Sequence, residues 1–315
     1  MTKIVELKEL TKKFPDGKIA VDNLSLTVEK VDIIGFLGPN GAGKSTTINM
    51  MMDLIGITSG TITLFGESAR HKSNRIRSKI GMIPQEIAIY EDLTAFENVA
   101  FFGGLYGLRG KMLKAASLRA LRYVALEKNA KEKAENFSGG MKRRLNIACA
   151  LVHEPELIIM DEPTVGIDPQ SRNFILGVIE TLNKKGITII YSTHYMEEVE
   201  RISNKIAIID HGKLIACGSE AELINLVTNT QNFSIEVLYP EKVELQKLRA
   251  LNGVQQVQLE GQILHIIANA EKNPLDDVLK ILIAAEVAVK AVDQDKINLE
   301  TVFLMLTGRK LRDAK

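Results

Sequence analysis

The chain has 315 residues, 45% of them hydrophobic and 25% charged, an ordinary globular composition with length for two domains of about 100–200 residues each. Forty basic against 39 acidic residues leave a net charge of +1, so no bulk field favours nucleic acid or anionic lipid. Two cysteines, Cys149 and Cys217, stand in no paired or ligand-like spacing, which argues against a zinc or disulfide framework and suits a reducing cytoplasm.

The N-terminal residues 1–9 are charged and alternating, unlike a signal peptide. No apolar stretch reaches the ~18 residues of a membrane-spanning helix, and the most apolar helix candidate, Val278 to Val289, is interrupted by Lys280 and Glu286. Any membrane role therefore has to come through a partner.

In chain order, Ile4–Leu7 and Ile19–Val28 alternate as strands do, with Asp16-Gly17 as a turn between them. Ile33–Leu37 is wholly apolar, as expected of a strand buried on both faces. A helix is predicted from Lys44 to about Leu54, then strands at Gly60–Gly66 and Ile80–Ile83. Glu86 to Asn136 reads as helical, with Pro84 and Gly103-Gly104 as breaks. Leu157–Met160 and Thr188–Tyr191 are short buried strands, each followed by a polar turn and a helix. Ile206–Ile209 and Leu214–Ala216 flank His211-Gly212 as a hairpin. The alternation predicts a mainly parallel α/β core.

Near Leu223–Asn232 an Asn- and Thr-rich segment interrupts the pattern. Beyond it come strand Phe233–Leu238, helix Glu241–Leu251, strand Val254–Leu259, strand Gln262–Ala268, helix Leu275–Ala285 and strand Val287–Val292. That βαββαβ succession is a ferredoxin-like layout. A last helix, Leu299–Leu306, ends at Gly308.

Between the apolar strand and the first helix lies Gly38-Pro39-Asn40-Gly41-Ala42-Gly43-Lys44-Ser45, a P-loop in the context its mechanism needs. Its glycines let backbone N–H groups converge on phosphate oxygens, and the helix N-terminus adds a favourable dipole. Lys44 can reach the β- and γ-phosphates of a nucleoside triphosphate, and Ser45 can ligate Mg²⁺. Asp161 ends an apolar strand, placing its carboxylate beside the phosphates and suiting it to hold Mg²⁺. Glu162 is suited to polarise an attacking water as general base; by itself it reads equally as an acidic residue before Pro163.

Gln85, after strand Ile80–Ile83, could contact metal and water, and His194, after strand Ile187–Tyr191, could contact a γ-phosphate. Alone, each reads as an ordinary solvated or structural side chain. Ser138-Gly139-Gly140 has the form of a Ser-capped helix start, either an ordinary cap or an anion site. Lys142-Arg143-Arg144 is most simply a solvated basic face, since no aromatic residues interleave it as in a nucleic-acid patch.

Taken together, the motifs resemble the nucleotide-binding subunit of an ATP-binding-cassette (ABC) transporter over roughly the first two thirds of the chain. In the family's order stand Walker A at Gly38–Thr46, the Q-loop at Gln85, the signature Ser138-Gly139-Gly140-Met141, Walker B at Leu157–Glu162, the D-loop Val165-Gly166-Ile167-Asp168 and the switch His194. Phe14 occupies the place where the family stacks a ring on adenine.

The resemblance implies a cassette at residues 1–224, with a helical subdomain at about 86–153, and an accessory C-terminal domain at 225–315. It also implies a head-to-tail dimer, by default of two copies, in which two ATP molecules are sandwiched. Each would be held by one P-loop and the partner's Ser138, Gly139, Gly140 and Met141, with Asp168 communicating across the interface. Gln85 and the helical insertion would meet a separate integral membrane permease, which would hold the chain on the inner face of the cell membrane.

Met141, Thr193-His194-Tyr195-Met196-Glu197-Glu198 and Leu299-Glu300-Thr301-Val302-Phe303-Leu304 look like the subfamily of bacterial and archaeal drug, sodium and polysaccharide exporters with separate six-helix membrane subunits. The expected activity is ATP hydrolysis coupled to export. The alternative is a soluble ABC ATPase of translation or DNA maintenance; those usually join two cassettes or carry coiled coils or zinc modules, and neither is visible here. Three positions depart from the family pattern: Val31-Asp32 stands in place of Gly-Glu, Cys149 in place of a common arginine, and Ile167 in place of leucine. Val31 is expected to leave its turn less relaxed; none of the three removes a group that hydrolysis needs.

Overall fold

The computed structural model describes residues 2–69, 74–227, 230–295 and 298–308. In order these form β1 (Lys3–Lys13), β2 (Ile19–Glu29), β3 (Ile33–Leu37), α1 (Lys44–Met51), β4 (Ser59–Leu64), β5 (Glu67–Ser68), α2 (Asn74–Arg77), β6 (Ile80–Ile83), α3 (Ala95–Leu105), α4 (Gly110–Tyr123), α5 (Gly139–Leu151), β7 (Leu157–Asp161), α6 (Pro169–Lys184), β8 (Thr188–Thr193), α7 (Met196–Ile202), β9 (Lys205–Asp210) and β10 (Lys213–Gly218). One compact unit runs to Ser219 and a second begins at Glu220.

The central sheet of the first unit has the order β10-β9-β3-β8-β7-β6. Its pairings are parallel except for β10 against β9, the hairpin around His211-Gly212. Strands β3 and β7 are buried at every residue, because the sheet is covered on both faces. Ile34, Phe36, Leu157, Ile159 and Ile190 point into one core, shared with α1 and the antiparallel sheet β2-β1-β4-β5. Their neighbours Ile33, Ile158, Met160, Ile189 and Tyr191 point into the other, shared with α3, α4, α5 and α6.

The local signals that set the helices are visible in their ends. Thr94 and Glu97 form a reciprocal capping box at α3, Ser138 caps α5 through the Met141 N–H, and Asp168 with Pro169 starts α6.

Three expectations shift. The first helix stops at Met51 rather than Leu54, and residues 86–94 are not helical. Gly103-Gly104 does not break the insertion: α3 runs through both and ends before Gly107, at φ 87°. A Cβ on Gly103 would meet Leu113 Cδ1 at 2.7 Å and Val152 Cγ2 at 3.0 Å, so this glycine serves close packing against the neighbouring helices.

The second unit comprises α8 (Glu220–Asn225), β11 (Thr230–Val237), α9 (Leu245–Arg249), β12 (Val254–Glu260), β13 (Ile263–Asn269), α10 (Leu275–Ala284), β14 (Val289–Asp295) and α11 (Leu299–Thr307). Its sheet has the order β12-β13-β11-β14 and is antiparallel throughout, the split βαβ arrangement. α9 is shorter than the helix expected over Glu241–Leu251, since a 3₁₀ turn at Pro240–Lys242 precedes it. The last strand begins later than expected, at Val289. Helix α11 is capped by Asn298 and ends in the left-handed Gly308, φ 73°.

Candidate active site

Because β3, β7 and β8 are parallel, their C-terminal ends share one edge of the sheet, where open α/β folds bind ligands. The P-loop leaves β3 at that edge and enters α1. Its N-cap, Gly43, has no side chain to cap the helix, so the first-turn N–H groups stay available to an anion. Gly43 sits at φ 104°, and a Cβ there would come within 2.5 Å of the Ala20 carbonyl. No other residue type fits that turn.

Lys44 is 4% exposed and donates to the carbonyls of Gly38, at 2.6 Å, and Pro39, at 3.2 Å. Its amine also lies 3.1 Å from Glu162 Oε1. Ser45 Oγ donates to Asp161 Oδ1 at 3.1 Å, and the same oxygen accepts the Ser192 hydroxyl at 2.6 Å. The Glu162 N–H donates to the Ser192 carbonyl at 3.1 Å and hydroxyl at 3.0 Å. Glu162 itself has left-handed backbone, φ 46°, as it turns off the end of β7. His194 Nδ1 lies 3.5 Å from Glu162 Oε2. Burial by itself would push the Glu162 carboxyl up; the His194 contact and the Lys44 charge outweigh it and hold the group below its ordinary value.

Phe14, Lys18 and Ala20 line the same cleft as Pro39 through Thr46, Gln85 and Glu162. The cleft thus joins the ring, the phosphate cradle, Gln85 and the Glu162 carboxylate. The Lys12 ammonium stands 5.1 Å from the centre of the Phe14 ring. The Gln85 side of the cleft is tied to α5: Arg143, 3% exposed, donates to the carbonyls of Pro84, at 2.7 Å, and Gln85.

Ser138, Gly139, Gly140 and Met141 are not part of this cleft. Ser138 Oγ accepts the Met141 N–H at 3.3 Å, and Met141 packs against the helical core. Asp168 Oδ1 accepts the Ser171 N–H at 2.9 Å as the cap of α6. Sequence reasoning missed Ser192 and Arg143. Ser192 carries no motif signal, and Arg143 read as part of a solvated basic face, whereas its guanidinium is buried.

This geometry defines a P-loop nucleotide-binding protein. A family model described as "ABC transporter" matches residues 21–165. The chain is 44% identical to the linearmycin resistance ATP-binding protein LnrL of Bacillus subtilis, over 97% of this chain and 99% of that protein. It is 36% identical to a Nod factor export ATP-binding protein I of Cupriavidus metallidurans, over 99% and 100% respectively. Among solved structures, a dimeric ATP-binding cassette bound to ADP and phosphate aligns at 27% identity and TM-score 0.63, covering 69% of this chain and 98% of that one. The cbiO1 protein of Clostridium perfringens, part of the transporter complex cbiONQ, aligns at 26% identity and TM-score 0.65, covering 72% and 95%. The chain belongs to the ABC transporter family as an ATP-binding subunit, and it is an ATPase. Among the described residues no helix is long and apolar enough to cross a membrane.

Proposed function

We propose that this subunit hydrolyses ATP in a head-to-tail dimer of two copies and so drives export through a separate permease. The observation that carries the reading is the convergence of Lys44, Ser45, Asp161 and Glu162 on one edge of the sheet, around an uncapped helix N-terminus. The P-loop amides and Lys44 bind the triphosphate, and Phe14 receives the adenine.

Ser45 and Asp161 offer a hydroxyl and a carboxylate, hard oxygen donors that fit Mg²⁺. With Gln85 they hold that ion, which neutralises charge on the phosphates when bound. Glu162, already held ionised beside Lys44, takes a proton from the attacking water. His194 stands against Glu162 and contacts the γ-phosphate.

The signature segment lies outside its own chain's cleft and opens helix α5 with two glycines, an arrangement that supports its use by a second copy. Ser138, Gly139, Gly140 and Met141 then close over the partner's ATP, and Asp168 lies at the dimer seam. ATP bridging the two copies supplies the differential affinity for the closed dimer, and hydrolysis removes it. The permease meets the Gln85 segment and the insertion, where Tyr90 and Phe101 are 47% and 42% exposed and stack edge to face. That contact places the subunit on the inner face of the cell membrane. Export is favoured by full-length similarity to proteins named for resistance and export.

The test is Glu162→Gln. It should keep ATP binding, lose turnover by about 100-fold or more, and accumulate as an ATP-bound dimer on size exclusion. Hydrolysis at the normal rate would remove Glu162 from its role.

A further inference from the structure

Helix α7 carries a further buried carboxylate, absent from the cleft lining, that the hydrolytic reading does not use. Glu198, on α7, is 2% exposed. Its Oε1 accepts the Thr164 hydroxyl at 2.7 Å, and its Oε2 accepts the hydroxyls of Tyr191 at 2.8 Å and Thr193 at 2.7 Å. Thr164 and Tyr191 are also 3.2 Å apart, and Arg172 Nε approaches Oε1 to 3.6 Å from α6. A buried carboxylate with this many donors is fully satisfied, and its hydroxyl donors come from two stretches of the nucleotide-site scaffold, the turn after β7 and the end of β8.

Those stretches are the ones that carry the reacting side chains. Thr164 is two residues after Glu162, in the turn that continues to Asp168; Val165 N–H bonds back to the Glu162 carbonyl at 3.3 Å, and Ile167 N–H to the Thr164 carbonyl at 3.2 Å. Thr193 immediately precedes His194, and its hydroxyl also accepts the Tyr195 N–H at 3.0 Å. A second route reaches the same place. The Arg172 guanidinium stacks 4.5 Å from the Tyr195 ring, which in turn lies 4.2 Å from the His194 ring. Burial and the adjacent Glu198 charge raise the Tyr191 phenol well above its ordinary value, so it keeps its proton and donates.

We propose that Glu198 is a positioning residue for ATP hydrolysis: its carboxylate clamps the turn after Glu162 to the strand end before His194, fixing the spacing of those two side chains and tying both to the Asp168 turn. The clamp is a device for geometry, since Glu198 is buried and does not line the cleft.

The inference rests on the reading of Glu162 and His194 as the hydrolytic pair. It is tested on the purified full chain by measuring kcat and KM with ATP in excess Mg²⁺. Glu198→Gln keeps the volume but replaces one acceptor by a donor, so one hydroxyl must turn away. It should lower kcat about tenfold with KM within about twofold of wild type. Thr193→Val, isosteric but without the hydroxyl, should reproduce that loss, and Thr193→Ser, which restores it, should recover most of it.

If Glu198→Gln does not fold, as judged by circular dichroism, the Thr193 pair decides. A kcat within about twofold of wild type in Thr193→Val, or a rise in KM that accounts for the loss, overturns the proposal. Full turnover in Glu162→Gln would instead bring down the hydrolytic reading beneath it. Lost turnover in Glu162→Gln with none lost at Glu198 or Thr193 overturns the clamp alone.

Discussion

The Lys44 amine and the Glu162 carboxylate meet as a buried ion pair at 3.1 Å, with side chains only 4% and 5% exposed. The pair joins the first turn of the P-loop helix to the residue that leaves β7, two segments more than a hundred positions apart in sequence. Its cost in desolvation is offset by the two P-loop carbonyls on Lys44 and the nearby His194 ring.

A pH dependence follows from the same pair. Glu162 has its folded-state value held below the ordinary 4.5, so the unfolded chain takes up the proton first on acidification. Its contribution to stability is therefore fully present above about pH 5 and lost as pH falls below about 4.5. Thermal midpoints of wild type and Glu162→Gln should differ by a constant amount between about pH 6 and 8 and converge below about pH 4.5. A gap that widens on acidification would mean that Glu162 is not the stabilising partner of Lys44.

The turn before β3 stores strain that a single substitution should release. Val31 is β-branched yet sits at φ 70°, where such residues are costly by about 1–3 kcal/mol. Its N–H donates to Thr188 Oγ1 at 2.9 Å and its carbonyl accepts from Asn183 at 2.7 Å, so the turn is held from both sides. The side chain is 41% exposed and little apolar burial is lost without it. Against the greater unfolded-state entropy of glycine, Val31→Gly should stabilise by about 1 kcal/mol, raising the midpoint by about 2–4 °C. A lowered midpoint would show that the turn tolerates valine without strain.

What the sequence made legible follows the range of the interactions involved. Lys44, Ser45 and Asp161 could be placed because strand, loop and helix chemistry is local, and the apolar runs Ile33–Leu37 and Leu157–Met160 fix which ends meet. Ser192 could not be found, since its role depends on the β7–β8 register that sets it opposite Asp161. Gly103 reads as a break in the sequence because a glycine that ends a helix and one that admits a neighbouring helix look alike in one dimension. Val31 was the reverse case: its departure from glycine signalled a strained turn, and the backbone there is left-handed.

Arg143 shows how a charge run can hide a structural part. Its neighbour Lys142 reaches Glu91 at 2.7 Å and is partly exposed, but Arg143 turns inward to the Pro84 and Gln85 carbonyls. Burial disfavours its charge, and the two carbonyl bonds offset part of that cost. Arg143→Met removes both donors and should cost about 1–2 kcal/mol in chemical denaturation. The local signature is faster amide exchange at residues 85–90 than elsewhere in the cassette. Unchanged exchange there would mean that the Gln85 segment holds its shape without α5.

Gly140 packs where the signature helix meets the start of α6. A Cβ on it would fall 2.1 Å from Ser171 Oγ and 2.7 Å from Ser171 Cβ, with Asp168 Oδ2 at 3.3 Å. Something has to move, and the Ser171 backbone is tethered: its N–H donates to the capping Asp168 Oδ1 at 2.9 Å, a bond that also holds the Asp168 carboxyl below its ordinary value. Gly140→Ala should therefore displace the Asp168 turn along with the signature backbone, lowering turnover by about tenfold. Ser171→Gly in the same chain removes both clashing atoms and keeps the capping N–H. The double variant should recover most of the lost rate, measured as ATPase activity with the thermal midpoint followed in parallel. If the second change restores nothing, the loss comes from the signature segment's own contacts with nucleotide, and the packing of Gly140 against Ser171 has no part in it.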